Sequence, residues 1–225
     1  MKVYFEDQYY IAVEKPAKKF IHPMPGERES KDCLLFDVRD HLESKIYPVH
    51  RLDRAVSGIV IFAKTPKAAT KAQEIWNKKT THKKYLCLNR GKIEKSGVYD
   101  VTLSKSGVSQ SDIKKEIKQE ALTLYNPIEY FHHEFCTYTE VEIKTGRFHQ
   151  IRRHFRKDIK PLIGDRKHGK GKVNNHFADN YGMNRIFLHC HELEFNHPYT
   201  GELILLNSPL PDVLNNVILK LRVNN

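Results

Sequence analysis

The run Ile59-Val60-Ile61-Phe62-Ala63, introduced by Ser57-Gly58, constrains the fold more than any other feature of the chain. Consecutive apolar residues rich in β-branching cannot alternate between a wet and a dry face. They suit a strand covered on both sides. Earlier in the chain, Val3-Tyr4-Phe5 and Tyr9-Tyr10-Ile11-Ala12-Val13 read as two short strands around the turn-prone Glu6-Asp7-Gln8, and Lys15-Pro16 ends the second. A loop rich in Pro and Gly, His22-Pro23-Met24-Pro25-Gly26, leads to a predicted helix over 31–42 carrying Leu34, Leu35 and Val38.

Helical periodicity returns over 67–77, and Tyr85-Leu86-Cys87-Leu88 reads as a strand. Residues 97–119 are polar and weakly patterned, which suggests a mobile hairpin or insertion. Glu140-Val141-Glu142-Ile143 alternates as a strand does, Gly146 precedes a helix, and Ile186-Phe187-Leu188 starts a strand that runs towards a turn at Pro198-Tyr199-Thr200-Gly201. With no repeat, low-complexity tract or linker, the expectation is a single domain over 1–225. It is α+β, with a central mixed, mostly antiparallel sheet flanked by helices and loops.

Composition narrows the function classes. No long apolar run suggests a membrane span, and Lys2, Glu6 and Asp7 interrupt any signal-peptide core, so a cytoplasmic location is expected. Cys33, Cys87, Cys136 and Cys190 are widely spaced and read as reduced structural residues, with no zinc pattern. The formal charge of +11 favours a polyanionic partner, although a positive surface also serves solubility. The cations crowd together: Lys144, Arg147, Arg152, Arg153, Arg156, Lys157 and Lys160, then Arg166, Lys167, Lys170 and Lys172.

On a helical wheel at about 100° per residue, Phe148, Ile151, Phe155 and Ile159 share an apolar stripe, with Arg152 on its edge at about 40°. Arg153, Arg156 and Lys157 fall outward. An inward guanidinium needs a carboxylate or a ligand, unless it snorkels to water. Asp53 is the candidate partner. It stands between Arg51 and Arg54 just before the buried strand, where positive charge would keep it ionised as a nucleophile or base. A structural salt-bridge loop is the competing reading. His189 and His191 share one strand face but lack a third ligand nearby, and read as structural.

These segments also carry a resemblance. His50-Arg51-Leu52-Asp53-Arg54 with Ser57-Gly58 and Ala63-Lys64 resembles the signature of the RluA family of pseudouridine synthases. Val13-Glu14-Lys15-Pro16 with His22-Pro23 resembles the family's opening, and Gly146-Arg147-Phe148-His149-Gln150-Ile151-Arg152 its second signature. Ile163-Gly164-Asp165, Leu188-His189 and His197-Pro198-Tyr199-Thr200-Gly201-Glu202 are similar to its later landmarks. The family usually has Pro-Thr where this chain has Ala55-Val56, a change expected to loosen the loop without touching Asp53.

The resemblance implies the pseudouridine synthase catalytic fold and isomerisation of a uridine within RNA: the C1′–N1 bond breaks, the base rotates and a C1′–C5 bond forms, with no cofactor and no metal. It implies that Asp53 acts at the ribose, by abstracting the C2′ proton or by covalent attack. It also implies that Tyr85 packs against the base, unless it is a core residue, and that Arg152 pairs with the aspartate. Arg51 takes the place of the extruded base, and His50, Arg54, Arg147, His149, Gln150, Arg153, Arg156 and Lys167 are implied RNA contacts. An S4-type RNA-binding module, found in many relatives, is expected to be absent. Arg152-Arg153-His154, Gly164-Asp165-Arg166-Lys167-His168-Gly169, Asn174 and Phe177 resemble a branch that modifies a uridine at tRNA position 65, in the acceptor–T-stem region. A tRNA is therefore the expected partner of a monomeric enzyme, ahead of ribosomal RNA. A non-catalytic RNA binder on the same fold is the alternative from another class.

Overall fold

A computed structural model describes residues 1–23, 32–77, 80–105 and 118–224. The chain forms two compact units, residues 1–83 with 189–210 and residues 84–188 with 211–225.

In the first unit, β1 (Val3–Glu6) pairs antiparallel with β2 (Tyr10–Lys15), and β2 pairs antiparallel with β4 (Ser57–Ala63). The short β3 (Tyr47–Pro48) also lies on β4. On its other edge, β4 runs parallel to β11 (Leu188–Asn196), with Ser57 opposite His189 and Gly58 opposite Cys190. Strand β12 (Leu203–Asn207) extends β11 antiparallel. The sheet is thus mixed and mostly antiparallel, as expected. Every residue of β4 is buried, which is what its unbroken apolar run demands. Helix α2 (Pro66–Asn77) places Ala68 and Ala72 against this sheet, in a cluster with Tyr10, Ile59, Ile61, Leu193 and Phe195. Helix α1 (Leu34–Leu42) begins three residues later than the spacing predicts, with Leu34 and Val38 inward. Most of the loop before it, residues 24–31, lies outside the described residues.

The second unit holds a sheet in the order β5 (His82–Arg90), β10 (Cys136–Ile143), β9 (Leu122–Phe131) and β6 (Gly97–Asp100). Strand β9 is invisible to simple alternation because Pro127 sits in its middle. The register with β10 shifts opposite that proline, between Tyr138 and Thr139, so the missing N–H falls at an irregularity. Strands β7 (Leu103–Ser104) and β8 (Lys118–Gln119) pair antiparallel as the stem of a hairpin, in the region read as a hairpin or insertion. Residues 106–117, and with them the expected mobility, lie outside the described residues. Helices α3 (Gln150–Lys157), α4 (Gly171–Tyr181) and α5 (Asp212–Val223) complete the unit. Helix α5 buries Leu214, Val217, Ile218 and Leu221, an i, i+3, i+4, i+7 stripe. The fold class is α+β.

Gly58 shows how tightly β4 and β11 are fitted. Its φ is +127°, and a Cβ there would lie 2.2 Å from the Cys190 carbonyl oxygen. Backbone strain and overpacking together set the cost of Gly58→Ala at about 3 kcal/mol or more. Urea denaturation of that variant should show its midpoint displaced to match, and an unchanged midpoint would show that the strand pair yields easily.

Candidate active site

The loop between β3 and β4 carries His50, Arg51, Asp53 and Arg54, and a buried lysine holds it. Lys15, at the end of β2, is 0% exposed, and its Nζ donates to the carbonyl oxygens of Pro16 (3.0 Å), Arg54 (3.1 Å) and Val56 (2.6 Å). An ammonium has three protons, and each finds a carbonyl. Two of the acceptors follow Asp53 within three residues, so the backbone that carries the carboxylate cannot drift. The Val56 N–H donates to the Asp53 carbonyl oxygen at 3.0 Å and closes a turn where the usual Pro-Thr is replaced by Ala55-Val56. Just beyond, Ser57 Oγ meets His189 Nδ1 at 2.8 Å while His189 Nε2 reaches the Ser208 carbonyl at 3.2 Å. The Nε2–H therefore donates to the carbonyl, and Nδ1 accepts from the serine. His189 is a buried structural residue, as the sequence suggested.

Asp53 is half-buried and Arg51 is exposed. Arg54 turns elsewhere. Its Nε donates to the Lys18 carbonyl at 2.9 Å, its guanidinium covers the Phe20 ring at 4.6 Å, and Asp32 lies 3.6 Å away. His50 also braces the loop against β4: its Nε2 accepts the Ile61 N–H at 3.2 Å and its ring stacks near Trp76. Burial first, and Lys83 second, push its pKa down to about 3.

In the second unit, Arg152 is indeed inward, at 6% exposure. The wheel's stripe is shorter than drawn, however. Phe148 precedes the helix and is 41% exposed, and Ile159 follows it with φ +58° and 78% exposure. Ile151, Phe155 and His154 form the buried face with Arg152.

The sequence reading missed the partner that the structure gives this guanidinium. Asp165, 1% exposed, receives Arg152 Nε on Oδ2 at 2.8 Å and Nη2 on Oδ1 at 2.9 Å, a two-pronged fork. Its Oδ1 also accepts the N–H groups of Lys167 and His168, each at 2.9 Å. Burial alone would raise the Asp165 pKa. The bonds from Arg152 and from the two backbone N–H groups outweigh it and hold the carboxyl below its ordinary value. Asp53 is thus not required to neutralise an otherwise stranded Arg152. The signal available beforehand was the Ile163-Gly164-Asp165 landmark, but only the folded loop shows what it faces.

Tyr85 lies on β5 and is buried. Gln150, expected at the RNA, is buried and hydrogen-bonded within the second unit. Its Oε1 accepts from Thr145 Oγ1 (2.7 Å) and the Arg147 N–H (3.0 Å), and its Nε2 donates to the Leu122 carbonyl and Thr123 Oγ1 (2.9 Å each). The whole amide is used in fastening α3 to β9. Arg147 donates from Nε to the Glu120 carbonyl at 2.9 Å. Arg153 grips Ser104 through its carbonyl (3.0 Å) and Oγ (2.8 Å). These two arginines hold opposite legs of the β7–β8 hairpin. His149, with φ +51°, shares a 2.9 Å hydrogen bond with His168 and stacks on Phe148. Arg156 and Lys167 are exposed, and Lys167 Nζ stands 5.4 Å from the centre of the Phe148 ring. Among the described residues, no helix is long and apolar enough to cross a membrane. The four cysteines are buried, and none of them forms a disulfide.

In the first unit, a carboxylate on a pinned loop suits acid–base or nucleophilic work, and in the second, exposed Arg156 and Lys167 suit contact with a polyanion. The family model for RNA pseudouridylate synthases matches residues 9–157. The chain belongs to the RNA pseudouridylate synthases and is an RNA pseudouridine synthase of the RluA type. It is 33% identical, over 94% of its length and 91% of the relative's, to tRNA pseudouridine synthase C of Vibrio parahaemolyticus serotype O3:K6 (strain RIMD 2210633). It is 29% identical to the protein of the same name from Salmonella typhi, over 97% of this chain and 88% of that one. Human RNA Pseudouridylate Synthase Domain Containing 4 shares the fold, with a TM-score of 0.76 over 98% of this chain and 93% of that one, at 21% identity.

Two outcomes test this geometry. Lys15→Met leaves carbonyls buried without their charged donor. Such bonds contribute about 1.5–3 kcal/mol each, so the variant should lose several kcal/mol of stability in chemical denaturation. Wild-type stability would show that the loop is held by other means. The second outcome concerns pH. Because folding lowers the pKa of His50 from 6.5 to about 3, the unfolded chain binds the extra proton between those values. His50 thus contributes stability above pH 6.5 that is lost as pH falls towards 3. His50→Gln should flatten the dependence of Tm on pH in that window, and an unaltered slope would relieve His50 of this role.

Proposed function

We propose that the RNA is a tRNA, that Asp53 acts on the ribose of the target uridine, and that Tyr85 and Arg152 complete the reacting set. The observation that carries this reading is the identity with tRNA pseudouridine synthase C along nearly the whole chain. The pinned loop under Asp53 supports it, because a reacting carboxylate must be held on a rigid element. The resemblance points to a uridine in the acceptor–T-stem region. Base pairing there puts the target out of reach, so the nucleotide must be extruded, and exposed Arg51 suits the vacated space. Tyr85 offers an aromatic surface for the base.

Arg156 and Lys167, both exposed, are the side chains of the second unit best suited to phosphates. Arg147, Arg153 and His149 serve RNA indirectly, through the hairpin and the Phe148 ring that they hold. Residues 1–225 act as one catalytic domain, without a cofactor, as a cytoplasmic monomer whose buried cysteines, not joined in disulfides, suit a reducing compartment.

Tritium release from C5 of labelled uridine in tRNA and in ribosomal RNA reads out the reaction and its substrate. Release from tRNA is expected. Release from ribosomal RNA alone would reassign the substrate, and no release from either would leave an RNA binder. Asp53→Asn should abolish release while RNA affinity stays within about threefold, since the change is nearly isosteric. Turnover retained in that variant removes Asp53 from the chemistry.

A further inference from the structure

We propose that Asp165 is a positioning residue of the reaction, acting through Arg152. This deepens the reading above and rests on Arg152 taking part in the chemistry. A carboxylate that merely neutralised a buried arginine would need charge and proximity. Asp165 has much more. It engages the guanidinium through the Nε and Nη2 edge, which sets both the plane and the rotation of the group.

The carboxylate is itself prevented from turning, because two backbone N–H groups, of Lys167 and His168, hold Oδ1. Its main chain is fixed as well. The Asp165 carbonyl accepts the Gly169 N–H at 2.9 Å and Asn174 Nδ2 at 3.0 Å, and Asn174 Oδ1 accepts the Gly164 N–H at 2.8 Å.

The loop admits this only with glycine at two points. Gly164 has φ +79° and would place a Cβ 2.0 Å from the Arg185 carbonyl oxygen, and a Cβ at Gly169 would lie 2.3 Å from that of Asp165. Loop 164–169 is therefore a rigid mount for one carboxylate, and its orienting bonds go to Arg152. Aim is what such a mount supplies, and a misplacement of about 1 Å in a reacting assembly can cost roughly a hundredfold in rate.

The test is a coupling experiment on the full chain with tRNA substrate, scored by kcat, KM and RNA affinity. Asp165→Asn, and separately Asp165→Glu, should lower kcat by roughly a hundredfold with KM and affinity within about threefold. In an Arg152→Ala background, either change should cost almost nothing more, because the residue through which it acts is gone. Near-normal kcat for the Asp165 variants beside an Arg152→Ala slowed to a measurable residual rate overturns the inference and leaves the reading of Arg152 intact. So do losses that multiply in the double variants, which would mark Asp165 as a residue of the fold alone. Full activity of Arg152→Ala removes the underlying reading, and the inference with it. Thermal melts accompany each variant. If Asp165→Asn does not melt cooperatively, the charge-conserving Asp165→Glu carries the comparison.

Discussion

A single buried ammonium organises the first unit. Lys15 closes strand β2 and caps the carbonyl of Pro16 on its own segment and those of Arg54 and Val56 on another, so the end of β2 and the approach to β4 are held by the same point charge. Charge inside a protein is tolerated only when fully solvated by its surroundings, and backbone oxygens perform that service here. The consequence is local rigidity without a rigid sequence. The turn after Asp53 contains Ala55 and Val56, neither a turn specialist, and keeps its shape through the lysine beneath it. Ser57, His189 and Ser208 continue the same support into β11.

The second unit is organised by α3, a helix whose polar residues mostly face protein. His154 shows the pattern. Its Nδ1 accepts from Thr123, its Nε2 donates to the Val101 carbonyl, and burial lowers its pKa. With Gln150 it seals the helix to β9 and to the chain leaving β6. Cationic residues along one segment thus divide by task. Arg152 is clamped inside, Arg147 and Arg153 grip the hairpin stem, and Arg156 and Lys167 remain at the surface. A count of positive charge cannot make that division. Only the first task concerns a desolvated charge, where orientation carries energetic weight.

How much could be read beforehand follows the range of the interactions. Strand β4 was legible because its apolar run has one physical solution. The inward Arg152 was legible because helical geometry is local. Phe148 and Ile159 were misplaced for the same reason: a wheel assumes the helix continues, and left-handed backbone at His149 and Ile159 ends it on both sides. Asp53 stood out through its signature, whereas Asp165 needed a loop to fold back before its role could be seen. Lys15 was hidden by the general truth that lysines are exposed. Strand β9 was hidden by Pro127, and α5 carries an ordinary amphipathic spacing with no signature residue to mark it.

The grip on the hairpin has a further consequence. Arg147 addresses the main-chain oxygen of Glu120, Lys157 that of Thr102, and Arg153 that of Ser104 in addition to its hydroxyl. A handle made of peptide oxygens is present whatever side chains surround it. The hold therefore depends little on which side chains stand at Thr102 and Glu120, because a replacement at either position still presents its carbonyl to the same cation.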